Sequence, residues 1–204
     1  MLDPATLTLL AITDDLRDGV PGLVSRATAA VRGGATMLQV RLKHAPAREL
    51  VEVARALIAA VPVPVLLNDR ADVALAANAA GVHLGVDDLP VAAVRRMAPE
   101  GFIIGASFGA DEELAHARDA DYVGIGPVFG TSSKRDAGDA IGLAGFRRLR
   151  ALMPCPAVAI GGITESGARE LAAAGADGVA VIRAVLSDPD PEAAARRLRS
   201  AFGR

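Results

Sequence analysis

Residues 63–90 constrain the fold of this chain more than any other segment, because they combine two strand-like runs with a helix-like run between them. One apolar run ends shortly before Asp69, and a second ends shortly before Asp87 and Asp88. The alanine-rich stretch between the two predicts a helix, so the whole segment predicts a βαβ unit with parallel strands. Parallel strands place their carboxyl ends at one edge of the sheet. We therefore expect Asp69 to lie near Asp87 or Asp88.

The acids of this unit have two interpretations. Hard divalent cations such as Mg²⁺ are commonly held by one or two carboxylates together with oxygens of a phosphorylated substrate, which favours a metal site. Carboxylates are also frequent helix N-caps and turn residues, and that role needs no metal. Taken alone, residues 63–90 leave both interpretations open.

Strand-like and helix-like segments alternate along the whole chain without a composition shift or a linker rich in Ser or Pro. The predicted strands are 7–12, 36–42, 63–67, 82–84, 102–105, 122–126, 157–160 and 178–182. The predicted helices are 22–31, 46–61, 71–80, 89–97, 112–118, 142–152, 166–174 and 191–202. Eight strands alternating with eight helices predict an α/β protein with a single (β/α)₈ barrel domain over residues 1–204, rather than a doubly wound sheet.

The composition argues against several classes of protein. Lys and Arg number 22 against 24 Asp and Glu, without a long basic run, so nucleic acid is not an expected partner. The single cysteine, Cys155, can form no internal disulfide, and no N-terminal stretch combines basic residues with an apolar core. No apolar run approaches the roughly 20 residues of a membrane span. We therefore predict a cytoplasmic protein that does not bind membranes.

The second predicted strand carries three polar side chains on one face. Gln39, Arg41 and Lys43 alternate with three aliphatic residues, and a period of two directs the two sets to opposite faces. In a barrel covered by helices the polar set faces the interior, where polar side chains near the carboxyl end of a strand indicate a ligand. A solvated edge is the alternative explanation for the same pattern.

Three further segments predict contacts to an anion. Residues 124–136 follow the sixth strand and combine glycines and hydroxyls with a lysine, which suits a phosphate-binding loop better than a plain solvated loop. Residues 160–164 and 178–183 are glycine-rich strand ends that lead into helices, where barrels often bind phosphate through backbone amides. Close packing of strand against helix also explains these glycines.

The histidines and serines form no catalytic pattern of their own. His83 falls inside the fourth predicted strand, where a hydrogen-bonded interior residue is the more common outcome than a ligand. No spacing of His or Cys is typical of zinc, and no nucleophile has a base and an orienting acid near it in the sequence. Acyl-transfer chemistry is therefore disfavoured.

Taken together, the motifs resemble those of the thiamine phosphate synthase family and of its relative, the thiazole tautomerase. The motifs are Gln39-x-Arg41-x-Lys43, Asn68-Asp69-Arg70, Gly81-Val82-His83-Leu84-Gly85 through Asp88, Gly105-Ala106-Ser107, Gly124-x-Gly126-Pro127 with Thr131-Ser132-Ser133-Lys134, and Ile160-Gly161-Gly162-Ile163. They occur in the family's order from residue 12 to residue 182. The resemblance implies a transferase that moves the hydroxymethylpyrimidine group from its diphosphate to the nitrogen of hydroxyethylthiazole phosphate, releasing diphosphate by a dissociative mechanism assisted by Mg²⁺.

The resemblance also implies roles for individual residues. Those implied to hold the pyrimidine diphosphate are Gln39, Arg41, Lys43, Asn68, Ser107 and Lys134, of which Arg41, Lys43, Ser107 and Lys134 are the catalytic candidates. Those implied to hold Mg²⁺ are Asp69 and Asp88. Those implied to hold the thiazole phosphate are Thr131, Ser132, Ser133, Gly162, Ile182 and Arg183. The implied partners are these two small molecules, and the sequence leaves self-association open.

Some positions depart from the family pattern. Leu42 replaces a usual Glu, Val86 a common Gln, and Arg183 a small Ser, where it either adds charge for the thiazole phosphate or obstructs it. The tautomerase resembles this chain but lacks the metal acids and uses a His where Gly109 stands, so the synthase is favoured. A tautomerase-like paralogue and a barrel that binds thiazole phosphate without turnover stay as alternatives. A Schiff-base aldolase is disfavoured, because both lysines lie among phosphate-binding groups.

Overall fold

A computed structural model of the chain describes residues 2–13, 15–131 and 138–203. Eight parallel strands close into a barrel in which each strand pairs with the next and β8 pairs with β1. The strands are β1 Leu9–Ile12, β2 Met37–Val40, β3 Val65–Asn68, β4 Gly81–Leu84, β5 Ile103–Phe108, β6 Tyr122–Ile125, β7 Ala157–Ile160 and β8 Gly178–Val181. The predicted (β/α)₈ barrel is confirmed.

Nine α-helices surround the barrel in the described ranges. They are α1 Gly19–Arg32, α2 Ala47–Ala60, α3 Ala71–Ala77, α4 Val91–Met97, α5 Leu114–Ala117, α6 Gly142–Leu152, α7 Glu165–Ala173, α8 Arg183–Leu186 and α9 Pro191–Phe202. Two short 3₁₀ helices, Pro4–Leu7 and Asp111–Glu113, precede β1 and α5. The prediction of eight helices is wrong by one, since α8 was missed. Four residues are too few to show a helical period in the sequence.

Local chemistry explains several of the predicted bounds that were wrong. The first strand begins two residues late because Asp3 caps a 3₁₀ helix over Pro4–Leu7. The helix predicted over 71–80 ends at Ala77, because Asn78 adopts the left-handed conformation with φ 56° and stops it. The helix predicted over 112–118 begins as the 3₁₀ turn Asp111–Glu113, and β5 runs on to Phe108.

The apolar side chains of the described residues form two separate cores. The larger core lies between the sheet and the helices, and α2 shows how it forms: Leu50, Val53 and Leu57 recur at helical spacing and are buried. The smaller core fills the barrel itself and consists of Leu7, Leu10, Ile12, Met37, Leu66, Tyr122, Val158 and Ala180. The alternation predicted for β2 is confirmed, because Leu38 and Val40 join the helix-side core whereas Gln39 is buried on the opposite, interior side.

The interior changes character toward the carboxyl ends of the strands. Met37 and Leu66 pack in the lower part of the barrel, and two residues further along the same strands the interior positions are Gln39 and Asn68. The polar site described below therefore lies on top of an apolar floor. None of the helices in the described ranges combines the length and the apolar character that crossing a bilayer requires.

Candidate active site

A cavity of about 830 Å³ opens at the carboxyl ends of the strands. It is lined by every predicted site residue that the structure describes: Gln39, Arg41, Lys43, Asn68, Asp69, Asp88, Ser107, Thr131, Gly162, Ile182 and Arg183. The remaining predicted residues, Ser132, Ser133 and Lys134, lie outside the described residues. Positions spread over some 145 residues of sequence thus share one space, and their individual roles stay predictions.

The first side of the cavity carries cationic side chains that follow β2. Thr13 holds this segment in place, because its hydroxyl accepts from the Arg41 backbone N–H at 2.9 Å and its own N–H donates to the Gln39 carbonyl at 2.9 Å. Arg41 is only 8% exposed, and no carboxylate in the described part of the chain pairs with its guanidinium. A nearly buried cation that faces a cavity without a protein counter-charge favours binding of an anion there.

Two acids lie beside this cationic segment. Asp69 follows β3 in the left-handed conformation with φ 65°, held by a hydrogen bond of 2.8 Å from its N–H to the His83 carbonyl. A positive φ is uncommon outside glycine, although Asp and Asn tolerate it best, and such strain is frequent at functional sites. Asp88 is fixed differently, since one carboxylate oxygen accepts the Gly85 N–H at 2.6 Å.

The carboxylates of Asp69 and Asp88 suit Mg²⁺, whose other ligands can come from water and substrate. They suit less well a metal that takes all its ligands from the protein. Among residues 2–13, 15–131 and 138–203, no cluster of three or more His, Cys, Asp and Glu side chains could hold a metal. Mg²⁺ commonly keeps several waters and takes one or two carboxylates together with substrate phosphate oxygens. Asp69 and Asp88 on the same cavity supply that number of carboxylates.

The opposite side of the cavity is built from backbone. The loops after β6 and β7 lie against each other, with the Val128 N–H donating to the Ile160 carbonyl at 2.8 Å and the Phe129 N–H to the Gly161 carbonyl at 3.1 Å. Gly161 and Gly162 have φ values of 101° and 62°. A Cβ on Gly162 would lie 2.9 Å from Phe129 Cβ, so only glycine fits between the loops.

The short helix α8 completes this side. Ile182 and Arg183 line the cavity at the point where β8 passes into α8, and the Arg183 side chain is exposed at the rim. The predicted glycine-rich strand ends therefore do face the cavity. Barrels often bind phosphate between the loops after strands seven and eight and a short extra helix, which is the arrangement seen here.

Three further residues line the cavity that were not predicted as site residues. His83 is hydrogen-bonded in the interior as predicted, but its ring also lines the cavity, where its Nε2 lies 3.2 Å from Ser107 Oγ. Tyr122 is fully buried below it, with Oη 3.1 Å from His83 Nδ1, and burial raises the pKa of this phenol above its ordinary value. Glu113 accepts the Gly109 N–H at 2.6 Å. The period-two pattern of β4 and β6 was the one available signal for the first two.

Comparison with known proteins identifies the family. The family model described as thiamine monophosphate synthase matches residues 9–185. A thiamine-phosphate synthase of Methanoculleus marisnigri is 49% identical over 178 residues, which is 85% of this chain and 84% of that relative. One from Moorella thermoacetica is 46% identical over 200 residues, or 96% of this chain and 95% of the relative.

Solved structures agree with these relatives. Thiamine phosphate pyrophosphorylase from Pyrococcus furiosus superposes with a TM-score of 0.84 at 38% identity, covering 98% of this chain and 96% of that one. A 3-hexulose-6-phosphate synthase superposes with a TM-score of 0.74 over 97% of this chain and all of its own, but at 19% identity it shares the fold alone. The chain therefore belongs to the thiamine monophosphate synthase family of enzymes.

Proposed function

We propose that this chain forms thiamine phosphate from hydroxymethylpyrimidine diphosphate and hydroxyethylthiazole phosphate, with release of diphosphate. One observation carries the proposal: a cationic and acidic side after β2 to β4 faces a glycine-backbone side after β6 to β8 across a single cavity. Two phosphorylated substrates need two anion-binding regions that face one reaction space. The names of the relatives, thiamine-phosphate synthases at 43–49% identity, support the same activity.

In this proposal the cationic side binds the departing group. The bond between the pyrimidine methylene carbon and the diphosphate oxygen breaks, and its electron pair leaves with the diphosphate. Arg41 and Lys43 line the cavity where they can stabilise that negative charge. The hydrogen bond between the Arg41 N–H and the Thr13 hydroxyl keeps the Arg41 backbone in place before substrate arrives, so little reorganisation is needed during the reaction.

We also propose that Asp69 and Asp88 hold Mg²⁺. When bound, the ion would neutralise charge on the departing diphosphate. The two carboxylates have a second role that does not depend on the ion. Their negative charge in the cavity favours the positive charge that the pyrimidine methylene carries after the diphosphate leaves.

The backbone side binds the acceptor in this proposal. Backbone N–H groups around Gly162 and at Ile182, together with the Thr131 hydroxyl and the Arg183 guanidinium, orient the thiazole phosphate. The thiazole nitrogen then attacks the methylene carbon and forms the new C–N bond. That nitrogen carries no proton, so the step needs no general base, in keeping with the absence of a catalytic base pattern from the sequence. Ser132, Ser133 and Lys134 stay predicted contributors to this side.

We also propose the extent of the domain, the kind of partner and the location of the protein. Residues 1–204 form one barrel domain, which is supported by the pairing of β1 with β8 and by the ion pair of 2.9 Å between Arg32 of α1 and Glu192 of α9. The partners are small phosphorylated molecules. The protein is cytoplasmic, in keeping with a single cysteine.

The test is formation of thiamine phosphate by the purified chain from the two substrates, with Mg²⁺ and with EDTA. We expect product and diphosphate in equal amounts, only when both substrates and Mg²⁺ are present. Product that persists in EDTA would reject the metal role. Thiazole phosphate that binds without turnover would favour the binding-barrel alternative, and interconversion of thiazole isomers without diphosphate release would favour the tautomerase alternative.

A further inference from the structure

Three side chains form a hydrogen-bonded chain from the barrel floor to the cavity. Tyr122 on β6 contacts His83 on β4 at 3.1 Å between Oη and Nδ1, and His83 contacts Ser107 on β5 at 3.2 Å between Nε2 and Oγ. The rings of His83 and Tyr122 lie 5.6 Å apart between centroids and are tilted by 37°. We call Tyr122, His83 and Ser107 the interior relay.

Two glycines make room for this relay inside the barrel. In the strand register His83 is paired with Gly105, and Ser107 is paired with Gly124. A Cβ on Gly105 would overlap the Tyr122 ring, and one on Gly124 would lie 3.1 Å from His83 Cε1. Larger residues at these interior positions would displace both rings. The sequence therefore leaves space in β5 and β6 where a barrel core normally places apolar side chains.

The direction of the hydrogen bonds follows from the burial of Tyr122. Its side chain is fully buried, and within the described residues His83 Nδ1 is its hydrogen-bond partner. A buried phenol has one proton to donate, and a donor without an acceptor is costly, so Tyr122 donates to Nδ1. The imidazole then carries its proton on Nε2, because a neutral ring has one N–H.

This tautomer determines what Ser107 can do. With a proton on Nε2, His83 donates to Ser107 Oγ, so the hydroxyl proton of Ser107 cannot be used toward His83. Ser107 lines the cavity, and its O–H is therefore available to an acceptor there. Were the proton on Nδ1 instead, Ser107 would donate to the ring and would offer the cavity only lone pairs.

We infer that Tyr122 and His83 are positioning residues that make Ser107 a hydrogen-bond donor to an acceptor atom of the bound pyrimidine diphosphate. The inference deepens the proposed function and rests on it for the identity of the ligand. The tautomer part does not rest on it, because it follows from the contacts among the three side chains themselves. Tyr122 and His83 act through Ser107 and need not touch the substrate.

The first test is ¹⁵N NMR of the histidine rings in the ligand-free protein. The chain has only three histidines, His44, His83 and His116, so the ring signals can be assigned by substitution. We expect His83 to be the Nε2–H tautomer in the wild type and a mixture of tautomers in Tyr122→Phe, which keeps the ring and removes the donor. An Nδ1–H tautomer in the wild type would overturn the inference, and so would an unchanged spectrum in Tyr122→Phe.

The second test is a double-mutant cycle of Tyr122→Phe with Ser107→Ala, followed by kcat/KM for the pyrimidine diphosphate. We expect Tyr122→Phe to lower kcat/KM about tenfold in the wild-type background, as for one lost hydrogen bond, and to have no further effect once Ser107 is Ala. Equal effects in both backgrounds would show that Tyr122 does not act through Ser107 and would overturn the inference.

Thr8→Val is the matched control. Thr8 is 2% exposed and bonds the Ala5 carbonyl at 3.0 Å just before β1, so the substitution removes a buried hydroxyl at the other end of the barrel. It should leave kcat/KM unchanged, which separates the loss of the relay from general loosening of the barrel. A wild-type protein that makes no thiamine phosphate would reject the proposed function, while the NMR result would still decide the tautomer.

Discussion

The two sides of the cavity are built from different materials. The side after β2 to β4 presents long or charged side chains just past the strand ends, of which Arg41 and Asp69 are examples. The side after β6 to β8 presents backbone, and its defining residues are Gly161 and Gly162. Deleting a functional group can thus abolish the function of the side after β2 to β4. On the side after β6 to β8, adding a single methyl group can have the same effect.

Asp69 partly bridges this contrast. It lies on the side after β2 to β4, but its φ of 65° is of the kind found at Gly161 and Gly162 on the side after β6 to β8. A carboxylate directed by a strained backbone needs both the right functional group and a residue that tolerates the conformation. Substitutions that separate these two requirements therefore test the comparison most directly.

The largest effect is expected from removing the Asp69 charge. Asp69→Asn keeps a residue that tolerates positive φ, and it should lower kcat about 100-fold or more, as losing a well-placed electrostatic group in an active site does. Asp69→Ala should add a loss of stability to the same loss of activity. The measurements are steady-state kinetics and thermal unfolding.

The control for this prediction is Asn78→Ala. Asn78 has φ 56° at the end of α3, which lies at the opposite end of the barrel from the cavity. It should lose stability as Asp69→Ala does and keep full activity. If Asp69→Asn kept the wild-type kcat, the Asp69 carboxylate would neither hold the metal nor contribute to catalysis.

The next effect is expected on the glycine side. Gly162→Ala adds a methyl group 2.9 Å from Phe129 Cβ at a position with φ 62°, so the loops after β6 and β7 must separate. We expect kcat/KM for the thiazole phosphate to fall more than tenfold, because misplacing a binding loop by about 1 Å can cost up to about 100-fold.

Gly175→Ala is the matched control for Gly162→Ala. Gly175 has φ 89° with no atom within 4 Å of the added Cβ, so it isolates the backbone strain. Both variants should lose about 1–2 kcal/mol of stability from the left-handed conformation. If both also lost activity equally, the backbone side would matter for folding and not for the substrate.

A smaller effect is expected at Arg183, where the backbone side carries a charge. Arg183→Ser should raise the KM for thiazole phosphate about two- to fivefold, because an exposed ion pair contributes about 1 kcal/mol or less. The control Arg169→Ser removes an exposed arginine from α7 outside the cavity and should leave KM unchanged. A lower KM in Arg183→Ser would instead show that the guanidinium obstructs the phosphate.

The smallest effect concerns the stability of the protein at high pH. It depends on Tyr122, which lies on β6 between the two sides of the cavity. Burial raises the pKa of its phenol above the usual value of about 10, so the unfolded chain releases that proton first. Stability from the neutral phenol is complete below about pH 10 and falls above it by up to about 1.4 kcal/mol per pH unit.

Urea unfolding from pH 8 to pH 11.5 checks this slope. Tyr122→Phe should remove the part of the slope above about pH 10 and leave the rest. Burial also raises the pKa of the Cys155 thiol, but both proteins share that group, so the difference between them isolates Tyr122. Parallel curves would mean that Tyr122 is hydrated in solution.

The fold and the side of the cavity after β2 to β4 were predictable from sequence for the same reason. The period of two in β2 assigned Gln39 to the interior, and parallel strands made Asp69 and Asp88 neighbours of one cavity, as observed. Family membership and the barrel are confirmed by the comparisons and the structure. The roles of the individual residues stay predictions, including those of Ser132, Ser133 and Lys134 outside the described residues.

The remaining features were beyond sequence reasoning because no local periodic pattern indicates them. Helix α8 is too short to have a period, and Glu113, which lines the cavity and accepts the Gly109 N–H, lies outside every strand. His83 and Tyr122 lie 39 residues apart, and nothing local indicates that two glycines on neighbouring strands admit both rings.

The sequence by itself determined the alternation of strands and helices, and with it the barrel and the edge where charged side chains collect. Local periodicity and turn chemistry are sufficient for that. Only the tertiary structure decided which backbone segments pack together after β6, β7 and β8, and that Tyr122, His83 and Ser107 meet inside the barrel. Those features arise from closing the barrel, which places residues distant in sequence within hydrogen-bond distance.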